Sequence, residues 1–448
     1  MTQNRTLRVA LLGAGSVGSQ VAGLLLTHAD ELADRAGARL ELAGIAVRNL
    51  DAERDVDLPR ELFTTDAESL IVGADIVIEL LGGIEPARTY VRLAIDSGAD
   101  VVTGNKALLA THGPELFDAA DRVGATVSYE AAVAGAIPII RPLRDSLAGD
   151  RVQRIMAIVN GTTNYILDRM DTEGAEFADV LAEAQALGYA EADPTADVEA
   201  YDAAQKAAIL ASLAFHTTVP LESVHREGIT SIDASTIESA RGAGYVIKLL
   251  AVCERLVSTS ADAAGPDEES ISVRVYPALV ARTHPLAAVH GAYNAVFVEA
   301  EAAGDLMFYG AGAGGIQTAS AVMGDVVSAA RRHLAGGVGV GESTRANLPI
   351  APIGHVTTRY QITLEVEDQT GVLATVAGVL SDGGVSVATV EQTVDDPALA
   401  SDDAAQSTAR LVIGTHKALE QHLSDTVQQL SQSDVVRRVV SVLRVEGE

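Results

Sequence analysis

Asp202 and Lys206 stand four residues apart in Tyr201-Asp202-Ala203-Ala204-Gln205-Lys206, a spacing that puts both side chains on one face of a helix, where a carboxylate can hold an ammonium. Such a pair can take a proton from a hydroxyl and give it back, which is general acid–base work. An exposed pair at this spacing is also ordinary surface decoration that contributes little, so it needs support from elsewhere. The segment Gly188–Lys206 supplies some, because it gathers further acids able to bind a substrate amine. Composition supplies more: lysine occurs only at Lys106, Lys206, Lys248 and Lys417, against 28 arginines. A chain that builds its positive surface from arginine keeps lysine where an amine that gains and loses a proton is wanted; composition bias is the competing reading.

A second constellation lies at the start of the chain. Val9-Ala10-Leu11-Leu12 runs into Gly13-Ala14-Gly15-Ser16-Val17-Gly18, and a helical run follows from Ser19 to Leu26. Glycines there allow a tight turn and close backbone approach, and the helix N-terminus offers free N–H groups to a pyrophosphate. Gly13, Gly15, Ser16, Val17 and Gly18 are therefore expected to bind a dinucleotide. The residue ending the second strand separates the two nicotinamide dinucleotides, since a carboxylate there bonds the ribose hydroxyls and a cation accepts a 2′-phosphate. Here Val47 is followed by Arg48, which favours NADP and leaves NAD as the alternative. Ligands of open α/β sheets sit beyond the carboxyl ends of the strands. The strand Asp100–Thr103 delivers Gly104-Asn105-Lys106 to that edge, so Lys106 is expected beside the nicotinamide.

These side chains need a frame to position them. Arg8–Leu12, Leu40–Val47, Asp75–Leu81, Asp100–Thr103 and Thr126–Glu130 read as strands alternating with helices, which implies a parallel, doubly wound α/β sheet. Alanine-rich amphipathic segments at Phe177–Leu187 and Asp197–Phe215, with a strand at Ile271–Val275, imply a second, α+β domain. The acidic stretch Ser258–Ser270 reads as a solvent loop. Gly310-Ala311-Gly312-Ala313-Gly314-Gly315 precedes an apolar run, Ala319–Leu334, long enough for a helix returning to the first domain. A glycine-rich linker follows. Tyr360–Val366, Gly371–Leu380, Val385–Val390, Arg410–Gly414, Ala418–Ser431 and Val435–Val445 then spell a ferredoxin-like β-α-β-β-α-β unit, interrupted by the acidic stretch Asp395–Ser407. The expected domains are 1–140 completed by 310–335, then 141–309, a linker at 336–358, and 359–448.

The chain has 448 residues, 48% apolar and 21% charged, with a formal net charge of −29. That charge argues against a nucleic-acid partner. No apolar run approaches the roughly 18 residues of a membrane span. Met1–Leu7 shows no export signal. A lone Cys253 fits a reducing compartment, so a cytoplasmic protein without a membrane partner is expected.

With these residues in view, the chain resembles homoserine dehydrogenase along almost its whole length. Leu80-Leu81-Gly82-Gly83, Val102–Leu108, Tyr129–Val133, Asn160-Gly161-Thr162-Thr163-Asn164-Tyr165 and Gly188–Lys206 occur in that family's order. The resemblance implies hydride transfer between L-homoserine and L-aspartate 4-semialdehyde, in threonine, methionine and isoleucine biosynthesis. It implies that Glu191 binds the substrate ammonium with Asp197 in support, and that Gly161 and Thr162 line the substrate site. Lys206 corresponds to the acid/base lysine held by Asp202, and Lys106 to a second active-site lysine; which of the two exchanges the proton stays open. The resemblance further implies a monovalent cation, Na+ or K+, on main-chain oxygens of Glu130, Val133, Gly135 and Ile137, and a second glycine loop, Gly310, Gly312 and Gly314, closing on the cofactor. Ala311 and Gln317 stand where that family often has proline. The last unit resembles an ACT domain, with Asp368–Ala374 at its first turn, which implies an amino-acid effector, threonine, or a purely oligomeric role in a homodimer or homotetramer.

The residues admit two competing readings. A phosphorylating aldehyde dehydrogenase would need a thiolate nucleophile, and Cys253, in the apolar run Lys248–Val252 read as helical, suits packing better. A non-enzymatic amino-acid or nucleotide sensor, with the last domain as receptor, would not need both Lys106 and the Asp202–Lys206 pair.

Overall fold

A computed structural model describes residues 5–54, 56–258, 268–336, 344–394 and 408–447. Most of the expected acidic loop at Ser258–Ser270, the acidic insert Asp395–Ser407, residues 337–343 of the linker and the first four residues lie outside the described residues. The chain forms two compact units, one of Met1–Gly161, Asp202–Val224 and Tyr293–Leu348, the other of Thr162–Tyr201, His225–Ala292 and Pro349–Glu448. No helix among the described residues is long and apolar enough to cross a membrane.

In the first unit, β1 (Thr6–Leu12), β2 (Arg39–Ala46), β3 (Phe63–Thr64), β4 (Ile76–Glu79), β5 (Asp100–Thr103) and β6 (Val127–Ser128) make a sheet in the order β3-β2-β1-β4-β5-β6. Every pairing is parallel. The central strands β4 and β5 are buried throughout, which is why they read as unbroken apolar runs instead of alternating ones. Strand order reverses between β1 and β4, so the crevice for a ligand opens at their carboxyl ends. The helices Ser16–Thr27 and Gly315–Ala335 share a core with the sheet, in which Val21, Leu25, Val322 and Val326 pack with Leu7, Val9 and Ile78. The returning helix expected at Ala319–Leu334 is thus present.

The same unit contains antiparallel strands Val152–Ile158, Tyr293–Ala300 and Gly304–Ala311, none of them expected. It also holds, from Asp202 onward, the helix Tyr201–Phe215, which differs from expectation in two respects. The helix begins at Tyr201, not Asp197, because Ala200 has φ +62° and separates it from a single turn, Thr195–Val198. It is buried on nearly every side instead of amphipathic. Ala203, Ala204, Ala207, Ala208 and Ala211 are all buried; small residues all round suit a helix enclosed by its neighbours.

In the second unit, Tyr245–Ser258 and Glu268–Ala281 form a long antiparallel pair, with Tyr245 opposite Ala281. The run Lys248–Val252 is therefore strand, and the helical reading is corrected. A strand buried on both faces carries no alternation, and periodicity alone does not separate it from a buried helix. Cys253 lies in that strand fully buried, and burial pushes its thiol up to about 12. A group so far from ionising serves no nucleophilic role at neutral pH.

The C-terminal β-α-β-β-α-β pattern runs Tyr360–Glu367, Val372–Asp382, Val387–Val394, Thr408–Thr415, Glu420–Ser431 and Val436–Glu446, as the sequence predicts. It does not stand apart from the rest of its unit, because Arg444–Glu446 pair in parallel with Ala278–Val280. The compact units accordingly do not follow the boundaries expected at 140, 309 and 358.

Candidate active site

The three glycines after β1 have three different surroundings. Gly13 has φ +98°, and a Cβ on it would lie 2.7 Å from Leu80 O. A Cβ on Gly18 would lie 2.2 Å from Gly13 O, so the helix packs against its own entry turn only with glycine there. At Gly15, which precedes the first residue of the helix, a Cβ would meet nothing within 4 Å. A tight turn, a close helix approach and an open backbone cradle at a helix N-terminus fit a pyrophosphate. Ser16 and Val17 open that helix. Val47 donates its N–H to Thr64 O at 2.9 Å, and Arg48 is exposed beyond it.

The second glycine loop meets the first. A Cβ on Gly315 would lie 2.8 Å from Ser16 O, and one on Gly312 would lie 2.1 Å from the buried Asn294 side chain. Gly310 faces Ile137, and Gly314 takes φ +124° as the residue before the returning helix.

At the end of β5 the chain turns into the helix Lys106–Val123. Asn105 caps it, accepting from Leu108 N at 3.1 Å while its own amide donates to Gly83 O at 2.7 Å. The buried Glu79 accepts from Thr103 Oγ1 at 2.6 Å and from Leu81 N at 2.8 Å. This network fixes the carboxyl edges of β4 and β5, and with them the first residue of the helix, Lys106.

Lys106 Nζ lies 2.5 Å from Asp202 Oδ1. The other carboxylate oxygen, Oδ2, accepts from Lys206 Nζ at 2.7 Å and from Asn160 Nδ2 at 3.0 Å. Lys206 Nζ also donates to Val159 O at 2.6 Å. One carboxylate thus sits between two ammonium groups. Burial works against its ionisation, but Lys206 and then Lys106 outweigh burial and hold Asp202 well below the usual carboxylate range. The two lysines are not equivalent: the Lys206 side chain is 11% exposed and that of Lys106 41%. Among the described residues, two of the three Lys206 donors have protein acceptors. Asn160 and the Val159 carbonyl were not foreseen as site groups, although Asn160 opens the Asn160–Tyr165 block.

The loop after β6 carries the expected cation ligands. Glu130 spends its carboxylate on Ile139 N at 2.6 Å, Ile140 N at 2.7 Å and the Arg141 guanidinium at 2.9 Å, and its own N–H donates to Asp325. Ala134 and Gly135 both take positive φ. Among the described residues, no backbone–backbone hydrogen bond outside regular elements ends on the carbonyls of Val133, Gly135 or Ile137. No cluster of three or more His, Cys, Asp or Glu fit for a metal occurs among the described residues.

The remaining expected residues belong to the second unit, apart from Gly161, which starts the helix Gly161–Glu173. Thr162 donates its hydroxyl to Tyr189 O at 2.6 Å, which ties that helix to the loop bearing Glu191. Glu191 is exposed, with its carbonyl accepting from Gln185 at 3.1 Å. Asp197 lies in the Thr195–Val198 turn. Lys248, also of the lysine shortlist, is buried and bound to Val289 O at 2.6 Å and Asn164 Oδ1 at 3.0 Å; burial pulls it down to about 8. It braces the Gly161–Glu173 helix.

The protein-family model for homoserine dehydrogenase matches residues 138–327, and that for the homoserine dehydrogenase NAD-binding domain matches residues 13–130. The chain is 54% identical to a homoserine dehydrogenase of Corynebacterium glutamicum, over 98% of this chain and 96% of that one. Among solved structures, a homoserine dehydrogenase from Thiobacillus denitrificans superposes with a TM-score of 0.88 at 37% identity, covering 99% and 98% of the two chains. A hyperthermophilic archaeal homoserine dehydrogenase in complex with NADPH superposes with a TM-score of 0.57 at 26% identity, covering 72% of this chain and 97% of that one.

Proposed function

The chain belongs to the homoserine dehydrogenase family and interconverts L-homoserine and L-aspartate 4-semialdehyde with a nicotinamide cofactor; on that premise we propose that Lys206 moves the hydroxyl proton, Lys106 orients the reacting oxygen, and Asp202 holds both. The observation that carries this reading is the placement of the Asp202 carboxylate 2.5 Å from one lysine and 2.7 Å from the other. A bound nicotinamide supplies the hydride acceptor for oxidation and the donor for reduction. In oxidation the amine of Lys206, or a water it polarises, takes the hydroxyl proton; in reduction its ammonium returns one to the forming alkoxide. Lys106 stabilises the negative charge that develops on that oxygen. Glu191, supported by Asp197, binds the substrate ammonium, with Gly161 and Thr162 lining the site. Loss of reduced-nicotinamide absorbance on adding aspartate semialdehyde tests the reaction, and a chain that turns over neither NADPH nor NADH would leave the sensor reading in front.

NADP is the preferred cofactor in this proposal, because Arg48 is exposed just past the end of β2, where a cation meets a 2′-phosphate. Gly13, Gly15, Gly18, Gly310, Gly312 and Gly314 shape the rest of the cradle. Arg48→Ala is expected to lower the NADP-to-NAD ratio of kcat/KM by about tenfold, the worth of one exposed charge-assisted contact of about 1.5 kcal/mol. An unchanged ratio would remove Arg48 from cofactor choice.

Main-chain oxygens of Glu130, Val133, Gly135 and Ile137 would hold Na+ or K+ and brace the loop after β6; activity in salts of a large organic cation, with and without added Na+ or K+, tests this. The C-terminal unit is proposed as an ACT domain that binds threonine, and threonine is expected to lower turnover of the full chain. Turnover indifferent to threonine would leave it a role in assembly alone. A cytoplasmic homodimer or homotetramer completes the proposal, supported by the lone buried Cys253 and the family likeness, and sedimentation of the purified chain decides the subunit number.

A further inference from the structure

The helix that carries Asp202 and Lys206 starts abruptly. The preceding turn ends at Glu199, and Ala200 then takes φ +62° while fully buried. An L-residue with a Cβ pays roughly 1–2 kcal/mol for that conformation, and it persists only where the surroundings over-determine it.

Those surroundings are a short segment from another part of the chain. Arg226 Nη1 donates to Glu199 O at 2.7 Å, and the same guanidinium stacks 3.5 Å above the Tyr201 ring. Ile229 N donates to Val198 O at 2.8 Å, and Thr230 Oγ1 to Glu199 Oε1 at 2.8 Å. Gly228 lets the segment seat closely, since a Cβ there would lie 2.5 Å from Val198 O and 2.8 Å from Glu199 Cα. Contacts thus fall on Val198, Glu199 and Tyr201, on both sides of Ala200.

The segment is itself fixed from behind. His225 and Arg226 pair in parallel with Arg274 and Val275, and Glu227 N donates to Val275 O at 2.8 Å. The Glu227 carboxylate holds the His225 ring at 2.7 Å and Arg444 Nη1 at 2.9 Å, and Arg444 is bound in turn to Glu420.

We propose that Arg226 is a positioning residue for the dehydrogenase reaction: with Gly228–Thr230 it clamps the turn around Ala200 in its left-handed form and so sets the start of the helix bearing Asp202 and Lys206. The proposal rests on the reading that those two residues act in the reaction. An error of about 1 Å in a reacting group can cost on the order of 100-fold in rate, so the direction in which this helix leaves its turn matters to chemistry that Arg226 never touches.

The experiment compares Arg226→Ala, Ala200→Gly and the double variant in the full chain, measuring kcat, KM and thermal unfolding. Arg226→Ala is expected to lower kcat by roughly 10- to 100-fold with KM for the nicotinamide cofactor unchanged. Adding Ala200→Gly is expected to recover a large part of the loss, because glycine takes the left-handed conformation without strain. A merely structural arginine would not be rescued at Ala200. Full kcat in a folded Arg226→Ala, or a loss that Ala200→Gly leaves untouched, would overturn the proposal. If Arg226→Ala does not fold, Arg226→Gln, which keeps a donor for Glu199 O and removes the cation from the Tyr201 ring, carries the same comparison. Lys206→Ala run alongside separates the two failures: full activity there would sink the reading of the site, whatever Arg226 does.

Discussion

Lys206→Ala is expected to lower kcat by roughly 10²- to 10⁴-fold in both directions, the range of a lost general acid–base group, while the Kd for the nicotinamide cofactor stays as in the parent. The reason lies in what its ammonium touches. Its two protein acceptors, Val159 O and Asp202 Oδ2, fix its place from two directions, and neither belongs to the glycine loop. Removing it takes away the proton carrier and spares the cradle. Lys106→Ala should fall less far, because Lys106 is the more exposed of the two and meets Asp202 alone among the described side chains. Steady-state kinetics in both directions, with cofactor binding read by nicotinamide fluorescence, checks this. A Lys206→Ala enzyme that has lost cofactor affinity and kept kcat would place the lysine in binding instead.

Asp202→Asn is expected to be costly twice over. The substitution leaves the Lys106 and Lys206 ammoniums facing a neutral amide, and one of them is nearly buried. Breaking a buried ion pair by removing one partner costs about 3–5 kcal/mol, and the part-exposed Lys106 draws the figure toward the lower end. The carboxyl of Asp202 is held well below its ordinary range by the two lysines. Its stabilising contribution is therefore present above the unfolded value of about 3.9 and lost as pH falls through the folded value. The parent should shed stability relative to Asp202→Asn on acidification below about pH 4 and keep its full advantage at neutral pH. Urea titrations of both proteins at several pH values measure the difference, and a gap that does not narrow in acid would show that Asp202 is not the ionised centre of the pair. Turnover should fall with it, since Lys206 loses its anchor.

The parts of this site that the sequence exposes are those made by neighbours along the chain. Gly13, Gly15 and Gly18 are legible because turn, cradle and helix entry follow one another within six positions. Asn105 and Lys106 are legible because a cap and the first helical residue sit directly after a strand. Asp202 and Lys206 are legible because a helix brings every fourth residue together. What escapes is made by residues far apart. Nothing local marks the Val159 carbonyl as an acceptor for Lys206, or Asn160 as the donor that shares Asp202 Oδ2. Ala200 gives no warning of φ +62°, because the contacts that force it come from Arg226–Thr230. Lys248–Val252 reads as helix in the sequence because a strand covered on both faces shows no period of two. Glu130 looked like a main-chain ligand alone, and its carboxylate turns out to cap the backbone of Ile139–Arg141.

Chemical rescue tests most directly whether Lys206 carries the proton. Small primary amines of graded pKa would be added to Lys206→Ala, with turnover of aspartate semialdehyde followed by nicotinamide absorbance. The expected result is saturable recovery of activity whose rate follows the pKa of the added amine, as Brønsted behaviour of a general acid requires, with no recovery in Asp202→Asn. Recovery in Lys106→Ala and none in Lys206→Ala, with both variants folded and binding cofactor, would contradict it and move the proton to Lys106.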